Sequence, residues 1–138
     1  MTGSIDPTRA QFEQFKSLPR DKPINMLNLV KLRYKAAYED GRDATGAEAY
    51  KAYGSGSLPI FQKVGGSIIW RGAPKAILIG PEAEAWHLSF IARYPTLGAF
   101  LAMVTDPDYQ AVVHHRQAAV EDSRLIAHAD LALAEGFG

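Results

Sequence analysis

Residues 24–34 read INMLNLVKLRY, and the alternation within them decides the fold. One face of an extended chain carries Ile24, Met26, Asn28, Val30 and Leu32; the other carries Leu27 and Leu29 before Lys31 and Arg33. A strand that is apolar on both faces is covered on both sides, which puts it in the middle of a sheet. A second strand pattern runs over residues 85–94, where Trp86, Leu88, Phe90 and Ala92 alternate with His87, Ser89, Ile91 and Arg93. One of its faces is apolar and the other half polar.

Outward from these two strands, the remaining elements follow from spacing and punctuation. Before residue 24, Asp6-Pro7 reads as a helix cap and first position, Phe12, Phe15 and Leu18 recur at helical spacing, and Pro19 closes the element. After it, residues 35–44 are loop-like, and Thr45 caps a helix that holds Glu48, Tyr50 and Tyr53. GSGS at 54–57 and Pro59 are expected to interrupt that helix, with Ile60, Phe61 and Val64 forming a second piece ended by Gly65-Gly66. Residues 67–72 predict a strand that continues beyond Pro74 into 75–80. Past residue 94, Pro95-Thr96 opens a helix, Asp106-Pro107 restarts it, and Tyr109, Val112, Val113, Arg116 and Val120 share one stripe, with Gln110 and Gln117 toward water. Residues 124–133 read as a last strand, although their alanines also suit a helix.

The order is helix, then βαββαβ. It predicts an α+β chain of ferredoxin-like arrangement, one domain over residues 1–138 with residues 1–21 as an added helical extension. Helices on one face of such a sheet leave the other face bare and still apolar, so a second copy is expected to cover it in a homodimer.

Composition narrows the function classes. Fifteen basic residues balance fifteen acidic ones without a basic stripe, so nucleic acid and anionic membrane are not expected partners. There is no cysteine, which excludes disulfides, thiolate nucleophiles and zinc–thiolate sites. No apolar run is long enough to span a bilayer and residues 1–12 lack a signal-peptide pattern, so the expected location is cytoplasmic.

The runs MLNLVKLRYKAAYEDG, TGAEAYKAYG, GGSIIWRG, ARYPTLGAFLAMVTDPDYQAVVHHR and EDSRLIA resemble the family catalogued as domain of unknown function 1330, over about residues 22–128 in order. That resemblance implies the dimeric α/β-barrel superfamily, in which two ferredoxin-like subunits pack sheet to sheet and whose members include cofactor-free quinol monooxygenases, muconolactone isomerases and haem-binding relatives. It does not imply one reaction. Where the family pattern has an acidic residue after a tryptophan, this chain has Trp86-His87.

The residues able to carry chemistry are few. Asn28 is the polar member of an otherwise apolar strand face, either orienting a ligand or bonded to nearby backbone. His87 is a candidate proton acceptor, its alternative being a solvated strand face or an intersubunit contact. Arg93, six residues along and so about 20 Å away, suits a distal carboxylate rather than the same reacting atom. Arg116 lies on the inward helical stripe, with its guanidinium in the cleft or turned to the surface. Trp70, Tyr50 and Tyr109 are the aromatic candidates for lining the pocket, although core packing is their default role. His87, His114, His115 and His128 do not combine into a metal site, because neighbours on a helix point about 100° apart. GSGS lacks the lysine of a phosphate loop.

The resulting expectation is a small-molecule enzyme of the cofactor-free monooxygenase or isomerase type. In it His87, Asn28 and Arg116 act on the substrate while Arg93, Trp70, Tyr50 and Tyr109 hold it. Two other readings compete: a metabolite-binding module without turnover, and a dimeric interaction domain without a ligand.

Overall fold

A computed structural model of the chain describes residues 3–138; Met1 and Thr2 lie outside the described residues. The elements run α1 (Arg9–Lys16), β1 (Ile24–Leu32), α2 (Gly46–Lys63), β2 (Ser67–Gly72), β3 (Leu88–Tyr94), α3 (Leu97–Thr105), α4 (Pro107–Gln110), α5 (Val113–Ala119) and β4 (Val120–His128). The four strands form an antiparallel sheet in the order β2-β3-β1-β4. Without α1 and with α3 to α5 counted as one helical layer, this is the expected βαββαβ arrangement, and β1 is central as its two apolar faces require.

The register assigns each face. Ile24, Met26 and Val30 of β1 are buried under the helices, with Ala92 and Tyr94 of β3 beside them and Ile60, Leu97, Met103 and Tyr109 packed from the helical layer. The opposite face, called the open face below, carries Leu27 opposite Ile91 and Ile126, and Leu29 opposite Ser89 and Arg124. Trp70 is also on it, opposite Ile91, because a bulge between Ile68 and Trp70 shifts the phase of β2. The indole lies across Gly72, where an added Cβ would fall 2.6 Å from Cη2.

Several boundaries differ from the sequence expectation. In α1 the cap is Thr8, whose Oγ1 accepts from the Gln11 amide at 3.1 Å, rather than Asp6. The second helix is continuous through GSGS and Pro59. A full capping box starts it: the Glu48 amide donates to Thr45 Oγ1 at 3.0 Å, and the Thr45 amide donates to Glu48 Oε1 at 2.8 Å. Its small residues are contact residues rather than breakers, for Ser57 is buried and Gly56 meets Val112 so closely that a Cβ would lie 2.9 Å from Cγ1. Tertiary packing thus outweighs the roughly 3 kcal/mol penalty of an interior proline.

On the sheet side, β2 stops at Gly72 and β3 starts at Leu88, so residues 75–80 are a loop with Leu78 and Ile79 exposed, not a strand. The stripe of residues 107–120 is divided between α4 and α5, and Val120 opens β4, which ends at His128 rather than running to residue 133. Tyr109 is buried while Gln110 and Gln117 are exposed, as the helical phase predicts; Val120 is buried too, but as the first residue of β4.

Candidate functional site

Under the helices the polar groups gather around tyrosines. The capping box fixes the start of α2, and from there Tyr50 and Tyr53, three residues apart, turn one side of the helix inward. Their ring centroids are 5.6 Å apart. Tyr53 then meets Tyr109 of α4, ring to ring at 6.1 Å in an edge-to-face contact and hydroxyl to hydroxyl at 2.8 Å. Tyr94 of β3 lies buried beneath, its hydroxyl directed at Met103 Sδ at 3.8 Å.

Burial pushes the hydroxyl pKa values of Tyr50, Tyr94 and Tyr109 well above the ordinary tyrosine value; the neighbouring Tyr53 adds to the effect in each case. These hydroxyls therefore stay protonated across any physiological pH, as neutral hydrogen-bond donors and acceptors rather than bases. Arg116 pulls the other way at Tyr50 and Tyr109, and Arg71 does so at Tyr50, so positive charge reaches the cluster from two sides.

Arg116 itself is half-buried on α5. Its Nη1 donates to the Ile5 carbonyl at 2.5 Å and its Nη2 to Ser123 Oγ at 3.3 Å. Asn28 faces the same helical layer from β1, between Phe90 and Leu125 in register. Its Nδ2 donates to the Met26 carbonyl at 3.0 Å, and among the described residues nothing donates to its Oδ1. The structure thus places Asn28, Tyr50, Tyr109 and Arg116 on one side of the sheet.

The other three candidates are elsewhere. His87 precedes β3 and its ring is exposed. The ladder between β1 and β3 ends at Val30 opposite Leu88, so the Leu32 amide lies beyond it, and His87 Nδ1 accepts from that amide at 2.9 Å. A neutral imidazole accepting at Nδ1 carries its proton on Nε2, which points away as a donor. The ring thus caps a strand end and lines neither of the two cavities described below. Arg93 is on the open face, paired bidentately with Asp130 at 2.9 and 3.0 Å and bonded to Asn25 Oδ1 at 3.0 Å. Trp70 shares that open face.

Two cavities flank the helical layer. One, of about 400 Å³, lies between the loop after β1 and α5, lined by Tyr38, Asp40, Arg42, His114 and Gln117. At its back the Tyr38 hydroxyl and His115 Nδ1 are 2.6 Å apart, and the Arg42 guanidinium covers the Tyr38 ring at 4.2 Å. Burial, with the charges of His114 and Arg42 behind it, holds the His115 pKa below the usual histidine value. Arg42 is in turn clamped by Asp40, whose carboxyl it pulls down to about 2. The second cavity, about 420 Å³, separates α2 from α4 and is lined by Gly56, Ile60, Lys63, Asp108 and Val112. No group of three or more His, Asp or Glu among the described residues is placed to hold a metal ion, and no helix of the described residues is long and apolar enough to cross a membrane.

Sequence reading does not single out Tyr53 from the other aromatics and misses the Tyr38–His115 pair. Tyr53 stands one turn from Tyr50, and that spacing was the available signal. Tyr38 and His115 are 77 residues apart, and nothing local joins them.

Comparison with known proteins agrees with this architecture. The family model described as domain of unknown function (DUF1330) matches residues 41–129. A crystal structure of methylated RPA0582 protein superposes with a TM-score of 0.93 at 55% identity, covering 96% of this chain and 98% of that one. A second, of RPA0582 from Rhodopseudomonas palustris, described as a protein of unknown function, gives 0.91 at 53% identity, covering 96% of this chain and 100% of that one. Farther off, SnoaB from Streptomyces nogalater, described as a cofactor-independent oxygenase, shares the fold at a TM-score of 0.53 and 10% identity, covering 83% and 99%. A dimeric protein of unknown function and ferredoxin-like fold from Bacteroides fragilis does so at 0.51 and 13%, covering 81% and 100%. No curated protein matches the chain.

Proposed function

The chain belongs to the family described as domain of unknown function (DUF1330), and we propose that it is a cytoplasmic homodimer acting on a small molecule without a bound cofactor, in the manner of a monooxygenase or isomerase. The observation that carries this reading is the hydroxyl pair of Tyr53 and buried Tyr109, with the Tyr50 ring against Tyr53, the charge of Arg116 felt at Tyr50 and Tyr109, and the free Oδ1 of Asn28 on the same side of the sheet. Neutral donors held in an apolar layer, with a guanidinium at hand, are suited to an oxygen that gains negative charge, such as a phenolate or enolate. Asn28 Oδ1 can accept a hydroxyl from the same molecule. The fold of a cofactor-independent oxygenase supports the class by analogy only.

One observation favours a second reading, that of a binding module without turnover. With His87 turned to the Leu32 amide and burial holding the Tyr50 and Tyr109 hydroxyls protonated, none of these three supplies the cluster with a base near neutral pH. The cluster can receive an anion more readily than create one.

The homodimer rests on the open face, where Leu27, Leu29, Ile91, Ile126 and Trp70 make an apolar centre between charged ends. An apolar core with a polar rim is the pattern of a protein interface.

A thermal-shift series with small phenols, quinols and carboxylic acids tests the site, with the Arg116→Gln variant as control. A ligand that stabilises the protein but not the variant supports the cluster; turnover of that ligand separates enzyme from binder. A flat series would leave the ligand-free interaction domain standing instead.

A further inference from the structure

The open face is bordered at each end by a segment that leaves the fold with large apolar side chains uncovered. After β4, the chain crosses the end of the sheet marked by Asn25 and Arg93. Asp130 is fixed there by the two bonds to Arg93 and by a third from Asn25 Nδ2 at 2.7 Å. Beyond that anchor Leu131, Leu133 and Phe137 each expose more than nine-tenths of their surface. At the other end, the loop between β2 and β3 crosses above the open face. Glu84 pairs with Arg124 at 2.9 Å, and Trp86 sits 5.1 Å from the same guanidinium. The tip of that loop carries Leu78 and Ile79, likewise more than nine-tenths exposed.

The two ends are separated by the five residue steps from Asn25 to Val30, about 17 Å of strand, and the apolar side chains at both ends stay exposed, so within one subunit the tail does not cover the loop tip. A twofold pair that meets through the open faces with strands running in opposite senses sets the tail end of each subunit against the loop end of its partner. Such an interface is isologous, and the contact is made twice.

We infer that residues 131–137 of one subunit pack onto the loop tip at residues 77–79 of a second copy, exchanging arms across the dimer. The occupant is a second copy because both arms are rooted on the rim of the apolar face that the proposed dimer buries. The three-point anchor at Asp130 also holds the tail to that rim. This inference rests on the homodimer reading above.

The chain contains no cysteine, so introduced thiols report without background. Leu78→Cys and Leu133→Cys are made separately, mixed, allowed to exchange subunits and oxidised with copper phenanthroline. The expected result is a disulfide-linked species of twice the subunit mass in the mixture and in neither variant alone, with the linked peptides identified by mass spectrometry. Sedimentation velocity on the same samples separates the two levels of the argument. A monomer overturns the homodimer reading and this one with it. A dimer that yields no mixed cross-link overturns the arm exchange alone, as does a double variant that closes the disulfide within one chain. Hydrogen exchange of residues 131–137 in the unmodified protein provides a check free of mutation: protection that falls on dilution to monomer is expected, and fast exchange in the dimer refutes the contact.

Discussion

Replacing Tyr109 by phenylalanine removes one hydroxyl and leaves another, and the consequence can be worked from the geometry. Tyr109 is buried and Tyr53 half-buried, and the 2.8 Å bond between their oxygens is the only hydrogen bond to either side-chain oxygen among the described residues. Tyr109→Phe leaves the Tyr53 hydroxyl without a partner, at a cost of about 1–3 kcal/mol for an unsatisfied buried group. Tyr53→Phe strands the Tyr109 hydroxyl in the same way. The double variant removes both hydroxyls and strands neither, so it is expected to lose about as much as one single variant rather than the sum of both. The coupling energy is then on the order of 1 kcal/mol or more. For a chain of this size, each single variant lowers Tm by about 3–6 °C per kcal/mol. Urea unfolding of the four proteins at one fixed subunit concentration measures it, since a dimer's stability depends on concentration. Strict additivity would refute the pair, and with it the claim that these hydroxyls satisfy only one another.

Three further outcomes follow from other parts of the molecule. Gly54→Ala meets nothing within 4 Å and is expected to stabilise by up to about 1 kcal/mol, the helix-propensity gain; Gly56→Ala puts a methyl 2.9 Å from the branched Val112 and is expected to destabilise by about 1–2 kcal/mol, both read by thermal unfolding. Asp40, with its carboxyl lowered to about 2 by Arg42, contributes stability above its ordinary pKa of 3.8 that is lost as pH falls toward 2, so an NMR titration should place its midpoint near 2 and Arg42→Gln should return it toward 3.8. His115 has its folded pKa lowered by burial, so the unfolded chain binds more protons and stability rises as pH increases toward 6.5, becoming fully present above it; His115→Gln should flatten that slope in denaturation curves taken from pH 5 to 7.5.

How much of this was legible in the sequence depends on the range over which each signal acts. Period two in residues 24–34 placed β1 centrally, and the phase of residues 88–94 was read correctly. Alternation says which residues share a face, however, not which layer covers it. The half-polar face holding Ser89, Ile91 and Arg93, which supplies the candidate Arg93, is the face turned away from the helices. Likewise GSGS and Pro59 are poor helix formers in isolation, and only the contact of Gly56 with Val112 shows why they belong in a helix. The chemistry of His87 is legible in the sequence, but its hydrogen-bond partner is not, because the Leu32 amide it accepts from lies 55 residues away, just past the end of the β1–β3 ladder. The tyrosine cluster joins residues 56 positions apart, beyond the reach of any spacing rule.

The way residues 3–6 are held has a kinetic side. Ser123 Oγ donates to the Ser4 carbonyl at 2.7 Å, the Ser4 amide donates to Asp122 Oδ1 at 2.9 Å, and Arg116 grips the Ile5 carbonyl, over sequence separations of 111 to 119 residues. Contacts that close so long a loop form late in folding and, resting on a few exposed or half-buried bonds, are the first to fray. Each such local opening frees Nη1 of Arg116 from its backbone partner without disturbing the sheet. The Arg116 guanidinium is therefore released from that bond in proportion to the population of the opened form, which amide exchange at Ser4 would report.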